Sequence, residues 1–186
     1  MINEVENPWK IIDSSEVYAS PWISVKKHNV LNAAQNRAVY SVVNFKNLAI
    51  GILPLDENYN TWIVGQYRFP IAAYSWEIPE GGGELNTSPL LSAKRELSEE
   101  AGIEAQKWTL IQEFNTSNSC TDEKAFIYIA QDLSFHESHP DEEEVLQVKK
   151  LPFSELYEMA IDGSITDSLT LIAVFKAKAL IDSKQI

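Results

Sequence analysis

The stretch that decides the fold of this chain is GGGELNTSPLLSAKRELSEEAGI, residues Gly81–Ile103. It begins with three consecutive glycines, which allow a backbone to approach a ligand closely. Helix signals follow: Ser88 is a favourable N-cap residue, Pro89 suits the first helical turn, and Gly102 is a typical C-terminal stop. The pattern therefore predicts a glycine-rich loop followed by a helix over Pro89–Ala101.

Three carboxylates share one patch of this predicted helix. Glu96, Glu99 and Glu100 are separated by three or four residues, which makes their side chains neighbours on the helix surface. Carboxylates this close repel one another unless a cation lies between them, so the pattern predicts a divalent-metal site. The alternative is a solvated acidic helix face, which is common in Glu-rich helices. The apolar stripe beside the carboxylates consists of Leu90, Ala93, Leu97 and Ala101.

The same stretch resembles the Nudix box. That pattern runs Gly, five residues, Glu, seven residues, Arg-Glu, an aliphatic, any residue, Glu-Glu, any residue, Gly and an aliphatic. Thr87 replaces the first glutamate of the box, which in the family supports the site rather than binding metal. The positions that match the pattern are Gly81, Arg95, Glu96, Leu97, Glu99, Glu100, Gly102 and Ile103.

Other parts of the chain are similar to one branch of that family, the ADP-ribose pyrophosphatases and nucleoside-diphosphate-sugar diphosphatases. ADP-ribose-specific members often carry a proline in the loop after the box, where this chain has Asn118, so the sugar and nucleoside preference stays open. The resemblance implies an α/β fold, the Nudix α/β/α sandwich with a mixed sheet and an additional N-terminal antiparallel sheet. The similar segments are Val64–Pro70, Ser75–Gly81, Ser117–Glu123 and Gly163–Asp167.

The resemblance also implies a reaction. We expect Mg²⁺-dependent hydrolysis, with Mn²⁺ as the alternative ion, of the diphosphate linkage of a nucleoside diphosphate sugar. The products would be a nucleoside monophosphate and a sugar phosphate, and ADP-ribose is the first candidate substrate. Two enzyme alternatives are nucleoside triphosphates and dinucleoside polyphosphates. A non-catalytic nucleotide-sensing domain, which Thr87 favours, and a Glu-rich interaction domain are the alternatives from other classes.

Metal binding and substrate binding fall to different residues in this prediction. The metal ligands would be Glu96, Glu99, Glu100 and the backbone carbonyl of Glu80, and Glu99 and Glu100 are also the expected catalytic carboxylates. The substrate-binding residues would be Arg68, which can hold a diphosphate through two hydrogen bonds, together with Trp76, Glu77, Gly81 and Gly82. The alternatives are a surface arginine at position 68 and a buried core tryptophan at position 76.

A general base must deprotonate the attacking water. Family members of this branch often take it from an acidic loop after the box, which here is the run Asp141–Glu144. Glu144 and Glu143 are the favoured candidates, and Glu123 competes with them. The alternative for each is an acidic, solvated turn.

Composition limits the partners of the chain. Its 186 residues carry a net charge of −12, which argues against nucleic acid and anionic membranes. Cys120 is the only cysteine, so an intramolecular disulfide is impossible, and the N-terminus has no signal-peptide pattern. These features favour the cytoplasm. His136 and His139 lack a helical context and are predicted to be surface loop residues rather than zinc ligands.

The predicted organisation has residues 1–45 as an N-terminal arm and strands, with 1–15 loosely ordered, and 46–186 as the Nudix hydrolase domain. The N-terminal strands are expected to take part in a homodimer. Strands are predicted at Trp22–Val30, Ala38–Phe45, Leu48–Leu55, Thr61–Arg68, Tyr74–Ile78, Thr109–Phe114, Ala125–Ala130 and Val145–Val148, and further helices at Phe153–Ile161 and Ser168–Asp182.

Overall fold

The structure, a computed structural model, describes residues 7–138 and 145–186. No helix within these two ranges is long and apolar enough to cross a membrane. The chain divides into two compact units, one containing Asn115–Glu123 and the residues up to Asn47, the other containing Leu48–Phe114 and Lys124–Ile186. The strands are β1 (Lys10–Ala19), β2 (Ile23–Leu31), β3 (Arg37–Phe45), β4 (Asn47–Pro54), β5 (Asn60–Arg68), β6 (Ala73–Glu77), β7 (Glu80–Glu84), β8 (Ile103–Asn115), β9 (Lys124–Phe135) and β10 (Gln147–Pro152), and the helices are α1 (Pro89–Ala101), α2 (Phe153–Ile161) and α3 (Ser168–Asp182).

The N-terminal unit contains an antiparallel sheet in the order β1-β2-β3. The segment 115–123 is bonded to β3, because the amide of Val43 donates to the carbonyl of Cys120 and the side chain of Asn44 donates to Asp122. The expected loose arm was wrong from Lys10 onward, since this stretch pairs with β2. All of β1 is exposed, so it lacks the apolar alternation by which a strand is recognised in sequence.

The second unit contains two sheets, in the orders β7-β4-β9-β8 and β10-β5-β6. Strands β4 and β9 pair in parallel, and both are buried on two faces. Successive residues show this: Ile52 and Tyr128 pack in the core cluster that contains Leu97 of α1, whereas Leu53 and Ile127 pack in the cluster that contains residues of α2 and α3. Helices therefore cover both faces of β4 and β9, which confirms the α/β/α arrangement.

The predicted helices have the observed bounds. Gly102 has φ 63°, the left-handed conformation of a helix C-cap, and the side chain of Asp167 accepts a hydrogen bond from the amide of Thr170 at the start of α3. Ser88 occupies the N-cap position of α1, but its side chain makes no capping hydrogen bond. Pro89 lacks an amide hydrogen at the first helical position, which leaves one donor fewer to cap.

The predicted glycine loop was wrong, because Gly81–Gly83 lie inside strand β7. The glycines serve close packing there. A Cβ atom on Gly81 would lie 2.3 Å from Cδ of Glu96, and one on Gly83 would lie 3.0 Å from Cγ1 of Ile50. Strands β8 and β9 are also longer than predicted, since backbone pairing continues through exposed polar residues at their ends.

Candidate active site

Arg95 gathers the first two carboxylates of α1. Its Nη2 donates to Oε1 of Glu96 at 2.6 Å and to the carbonyl of Gly82 at 2.9 Å, while its Nη1 donates to Oε2 of Glu99 at 2.8 Å. Burial would lower the pKa of Arg95, but the negative charges of Glu96 and Glu99 raise it above its ordinary value. The arginine therefore stays charged and holds two carboxylates beside the backbone of β7.

The third carboxylate of α1 contacts the start of β7. The backbone amide of Glu80 donates to Oε2 of Glu100 at 2.8 Å. Glu100 is 2% exposed and Glu96 is 8% exposed, so the solvated-face alternative is wrong for these two residues. Because Gly81 has no side chain, the carboxyl group of Glu96 can pack directly against the β7 backbone.

A second ion-pair cluster lies at the ends of β5 and β6. Arg68 donates from Nε to both carboxylate oxygens of Glu77 at 3.0 Å, and from Nη2 to Glu77 at 2.6 Å and Glu80 at 3.0 Å. Burial would lower the pKa of Arg68, but its hydrogen bonds and charge interactions with Glu77 and Glu80 raise it. Two predicted substrate-binding residues, Arg68 and Glu77, are thus bonded to each other.

Asp167 joins this cluster from the other end of the chain. One oxygen from each of Glu77, Glu80 and Asp167 can be chosen so that all three lie within 4.8 Å of one another. Burial, followed by the charges of Asp167 and Glu77, raises the pKa of Glu80 well above its ordinary value, and Arg68 only partly opposes this. Asp167 is not among the predicted site residues, although it lies in the segment Gly163–Asp167 that resembles the family.

The donor set fits a divalent cation. Oε2 of Glu80 is buried and has no hydrogen-bond partner of normal geometry among the described residues, so a bound proton or a cation would offset the cost of burying it. Carboxylate and carbonyl oxygens are the ligands that Mg²⁺ and Mn²⁺ prefer. Among the described residues, Glu77, Glu80 and Asp167 have carboxylate oxygens close enough together to hold such an ion, whereas Glu96, Glu99, Glu100 and the carbonyl of Glu80 stay the predicted ligands.

The remaining predicted residues have the following surroundings. Trp76 is partly buried against the core and makes an edge contact with Tyr74, with ring centroids 5.6 Å apart. This packing agrees with the alternative of a core tryptophan. Glu123 belongs to the N-terminal unit and accepts a hydrogen bond from Thr116 at 2.6 Å. Glu143, Glu144 and His139 lie outside the described residues. His136 is exposed, and its Nε2 lies 3.1 Å from Oγ of Ser98.

Comparison with known proteins agrees with this geometry. Residues 45–169 match the model of the NUDIX domain. The chain is 26% identical to an ADP-ribose pyrophosphatase of Mycobacterium tuberculosis, over 94% of this chain and 86% of that protein. It is 30% identical to an ADP-ribose pyrophosphatase of Bacillus subtilis, over 68% and 69% of the two chains, and 33% identical to a methanol dehydrogenase activator of Bacillus methanolicus, over the same shares.

The fold has a solved counterpart. The crystal structure of an ADP compounds hydrolase superposes with a TM-score of 0.85, covers 95% of each chain and shares 21% sequence identity. The matched domain includes β7, α1 and the Arg68 cluster, so the box motif and the buried carboxylates lie within one recognised domain. The chain therefore belongs to the Nudix family, as a hydrolase of pyrophosphate bonds in the branch of the ADP-ribose pyrophosphatases.

Proposed function

We propose that this protein hydrolyses the diphosphate linkage of a nucleoside diphosphate sugar in a Mg²⁺-dependent reaction, with ADP-ribose as the first candidate substrate. The observation that carries the proposal is the burial of Glu96 and Glu100 beside β7, where Arg95 adds Glu99 to the group. Nudix hydrolases generally need divalent metals, and the relatives named ADP-ribose pyrophosphatase support the choice of substrate.

The box residues and Glu80 would have different roles in binding the cation. Glu96, Glu99, Glu100 and the carbonyl of Glu80 would hold the cation, which supplies charge neutralisation of the diphosphate and activation of water. Arg95 orients Glu96 and Glu99 through charge-assisted hydrogen bonds. Glu100 anchors the backbone amide of Glu80, so one helix controls both kinds of oxygen ligand.

Arg68 would bind the diphosphate or orient the groups that do. Its bonds to Glu77 and Glu80 use Nε and Nη2, and its side chain is 36% exposed. A guanidinium held in this way presents a fixed positive charge at the edge of a strongly acidic cluster. Trp76, Glu77, Gly81 and Gly82 remain the proposed substrate contacts around it.

The general base is proposed to be Glu144 or Glu143, with Glu123 as the competing candidate. The base would accept a proton from the attacking water, while the leaving phosphate departs with the electron pair of the broken P–O bond. A carboxylate is suited to this role beside a cation, because the cation lowers the pKa of the water to be deprotonated.

The proposed assembly is a homodimer of a cytoplasmic protein, formed through the N-terminal sheet. Large apolar side chains stand exposed on that sheet and its flanks, which is unusual for a surface that faces only water. A second copy of the chain would cover them. The exposed side chains are Trp9, Ile11, Ile12, Val17, Tyr18, Trp22, Val39 and Tyr40.

One experiment separates the candidate functions. Purified protein is incubated with ADP-ribose, ADP-glucose, GDP-mannose, UDP-glucose, diadenosine polyphosphates and nucleoside triphosphates, each with Mg²⁺ and with a chelator. We expect a nucleoside monophosphate to be released from a diphosphate sugar only when Mg²⁺ is present. Preferred release from triphosphates or dinucleoside polyphosphates would contradict the proposed substrate class.

A nucleotide-sensing domain is the second candidate, and Thr87 favours it. This residue replaces the first glutamate of the box, and its hydroxyl donates to the carboxylate of Glu84 at 3.0 Å. Nucleotide binding without cleavage of any compound in the panel would establish sensing. Restoring the box with Thr87→Glu should then raise turnover if the missing carboxylate is the cause.

A further inference from the structure

We infer that Thr170, in the first turn of α3, is a positioning residue for the metal site. Its Oγ1 accepts a hydrogen bond of 2.9 Å from the backbone amide of Ile78, which lies 92 positions earlier in the chain. Both residues are fully buried. The inference rests on the proposed metal-dependent function and adds to it a residue outside the box.

The segment that Thr170 contacts leads directly to a proposed metal ligand. Ile78 and Pro79 connect β6 to β7, and Glu80 begins β7 with the carbonyl group that we assign to the cation. Only Pro79 lies between Ile78 and Glu80. The orientation of the Ile78 peptide therefore reaches the carbonyl of Glu80 through about five backbone dihedral angles, one of which the proline ring fixes.

Three separate elements hold this short segment. The amide of Ile78 is bonded to α3 through Thr170, the carbonyl of Pro79 accepts from the amide of Ile52 in β4 at 2.8 Å, and the amide of Glu80 donates to Glu100 in α1 at 2.8 Å. The contact from β4 is a backbone bond, and the contact from α1 comes from a proposed ligand. Thr170 is thus the side chain that can be changed without altering the ligands themselves.

Thr170 is itself held in place at the helix start. Its backbone amide donates to Oδ2 of Asp167 at 2.7 Å, so the N-cap of α3 fixes the residue that accepts from Ile78. The same Asp167 lies beside Glu77 and Glu80. The N-terminus of α3 therefore bonds to Ile78 in the β6–β7 connection and lies, through Asp167, beside the two glutamates that flank this connection.

The test replaces the hydroxyl while keeping the shape of the side chain. Thr170→Val removes the acceptor for the amide of Ile78, and Thr170→Ser keeps it. Binding of Mn²⁺ to the full chain, without substrate, is measured by electron paramagnetic resonance. We expect the dissociation constant to rise about tenfold in Thr170→Val, as for other residues that orient metal ligands, and to stay within about twofold of wild type in Thr170→Ser.

A matched control separates positioning from a general loss of stability. The control variant is Val174→Ala. Val174 lies on the same helix, is fully buried in the core, and has an apolar side chain that forms no hydrogen bond with the β6–β7 connection. This variant should lower the melting temperature without changing the Mn²⁺ dissociation constant. If Thr170→Val does not fold, Thr170→Ala is measured in its place, because a smaller side chain introduces no new apolar contact against the amide.

The outcomes distinguish this inference from the proposed function. Wild-type Mn²⁺ affinity in Thr170→Val, or in Thr170→Ala if the valine variant does not fold, would overturn the positioning role while leaving the metal-dependent function intact. An equal rise of the Mn²⁺ dissociation constant in Val174→Ala would mean that Thr170 contributes to stability rather than to positioning of the ligand. A wild-type protein that binds no Mn²⁺ would overturn the metal assignment and this inference together, and chelator-insensitive hydrolysis in the substrate panel would identify that case.

Discussion

Glu100 illustrates how one residue of the site can combine two roles. Its carboxylate is almost completely buried, and Oε2 accepts a hydrogen bond from the amide of Glu80. The same carboxylate is a proposed ligand, so its charge and its hydrogen-bond geometry serve different purposes. Substitution by glutamine separates them, because an amide oxygen can still accept from Glu80 while the negative charge is lost.

At the residue scale, we therefore expect Glu99→Gln and Glu100→Gln each to lower turnover of the preferred substrate by about 100-fold or more, because charge stabilisation of this kind is a large catalytic contribution. Circular dichroism should show an intact fold. Glu104→Gln, an exposed glutamate on β8, is the control and should keep full turnover. Unchanged turnover in both box variants would remove the metal assignment.

The general base is a second prediction at this scale. One of Glu143→Gln, Glu144→Gln and Glu123→Gln should lower kcat about 10²- to 10⁴-fold. It should also abolish the acidic limb of the pH profile of kcat, because that limb reflects protonation of the base and glutamine has no carboxylate to protonate. Mn²⁺ affinity should not change in that variant. Glu142→Gln is the control from the same acidic run, and normal kinetics in all three variants would mean that the base is another residue.

At the scale of elements, the ends of α1 are controlled by contacts of different kinds. The N-terminal end depends on proline rather than on the Ser88 side chain, whereas the C-terminal end depends on Gly102. A Cβ atom on Gly102 would lie 2.4 Å from the carbonyl oxygen of His136. The backbone amide of His136 also donates a hydrogen bond to the carbonyl of Gly102. The C-terminal end of α1 is therefore packed tightly against the residues that follow β9.

This packing predicts different costs for two glycine substitutions. Gly102→Ala and Gly163→Ala both place alanine at positive φ, at roughly 1–2 kcal/mol each, but only Gly102 meets a neighbouring backbone. We expect Gly102→Ala to lose about 1–3 kcal/mol more of the free energy of unfolding than Gly163→Ala. Urea denaturation measures both, and equal losses would show that the backbone after β9 moves aside without cost.

At the scale of the whole molecule, the charge of −12 constrains what the protein can bind. An acidic protein repels a diphosphate compound, and the buried carboxylates beside β7 add to that repulsion. A bound cation would reverse the local potential. Arg95 places positive charge beside Glu96, and Arg68 places it beside Glu77 and Glu80. The distribution of charge, rather than its sum, allows an anionic substrate.

The homodimer is the prediction at this scale. Light scattering after size exclusion should give twice the chain mass of 21.0 kDa. Val39→Glu puts a charge on the exposed side of β3 and should shift the mass toward the monomer, since burying an unpaired charge is unfavourable. Lys124→Glu, an exposed change outside the N-terminal unit, is the control. A wild-type monomer at micromolar concentration would contradict the proposed assembly.

The sequence by itself determined the parts of this protein that follow local rules. The bounds of α1, its left-handed stop at Gly102 and the clustering of Glu96, Glu99 and Glu100 all depend on residues within a few positions of one another. Such patterns are visible in a chain before it folds. The box motif is a continuous stretch, so it was sufficient to predict the family, and the resemblance to the family then implied the fold class.

Only the tertiary structure decided the contacts between distant residues. It turned Gly81–Gly83 into a strand and joined Asp167 and Thr170 to the segment that leads into β7. No local pattern specifies these partners, because a backbone donor such as Ile78 can be satisfied by any acceptor that packing brings near. Packing across 92 positions of sequence selected the hydroxyl of Thr170.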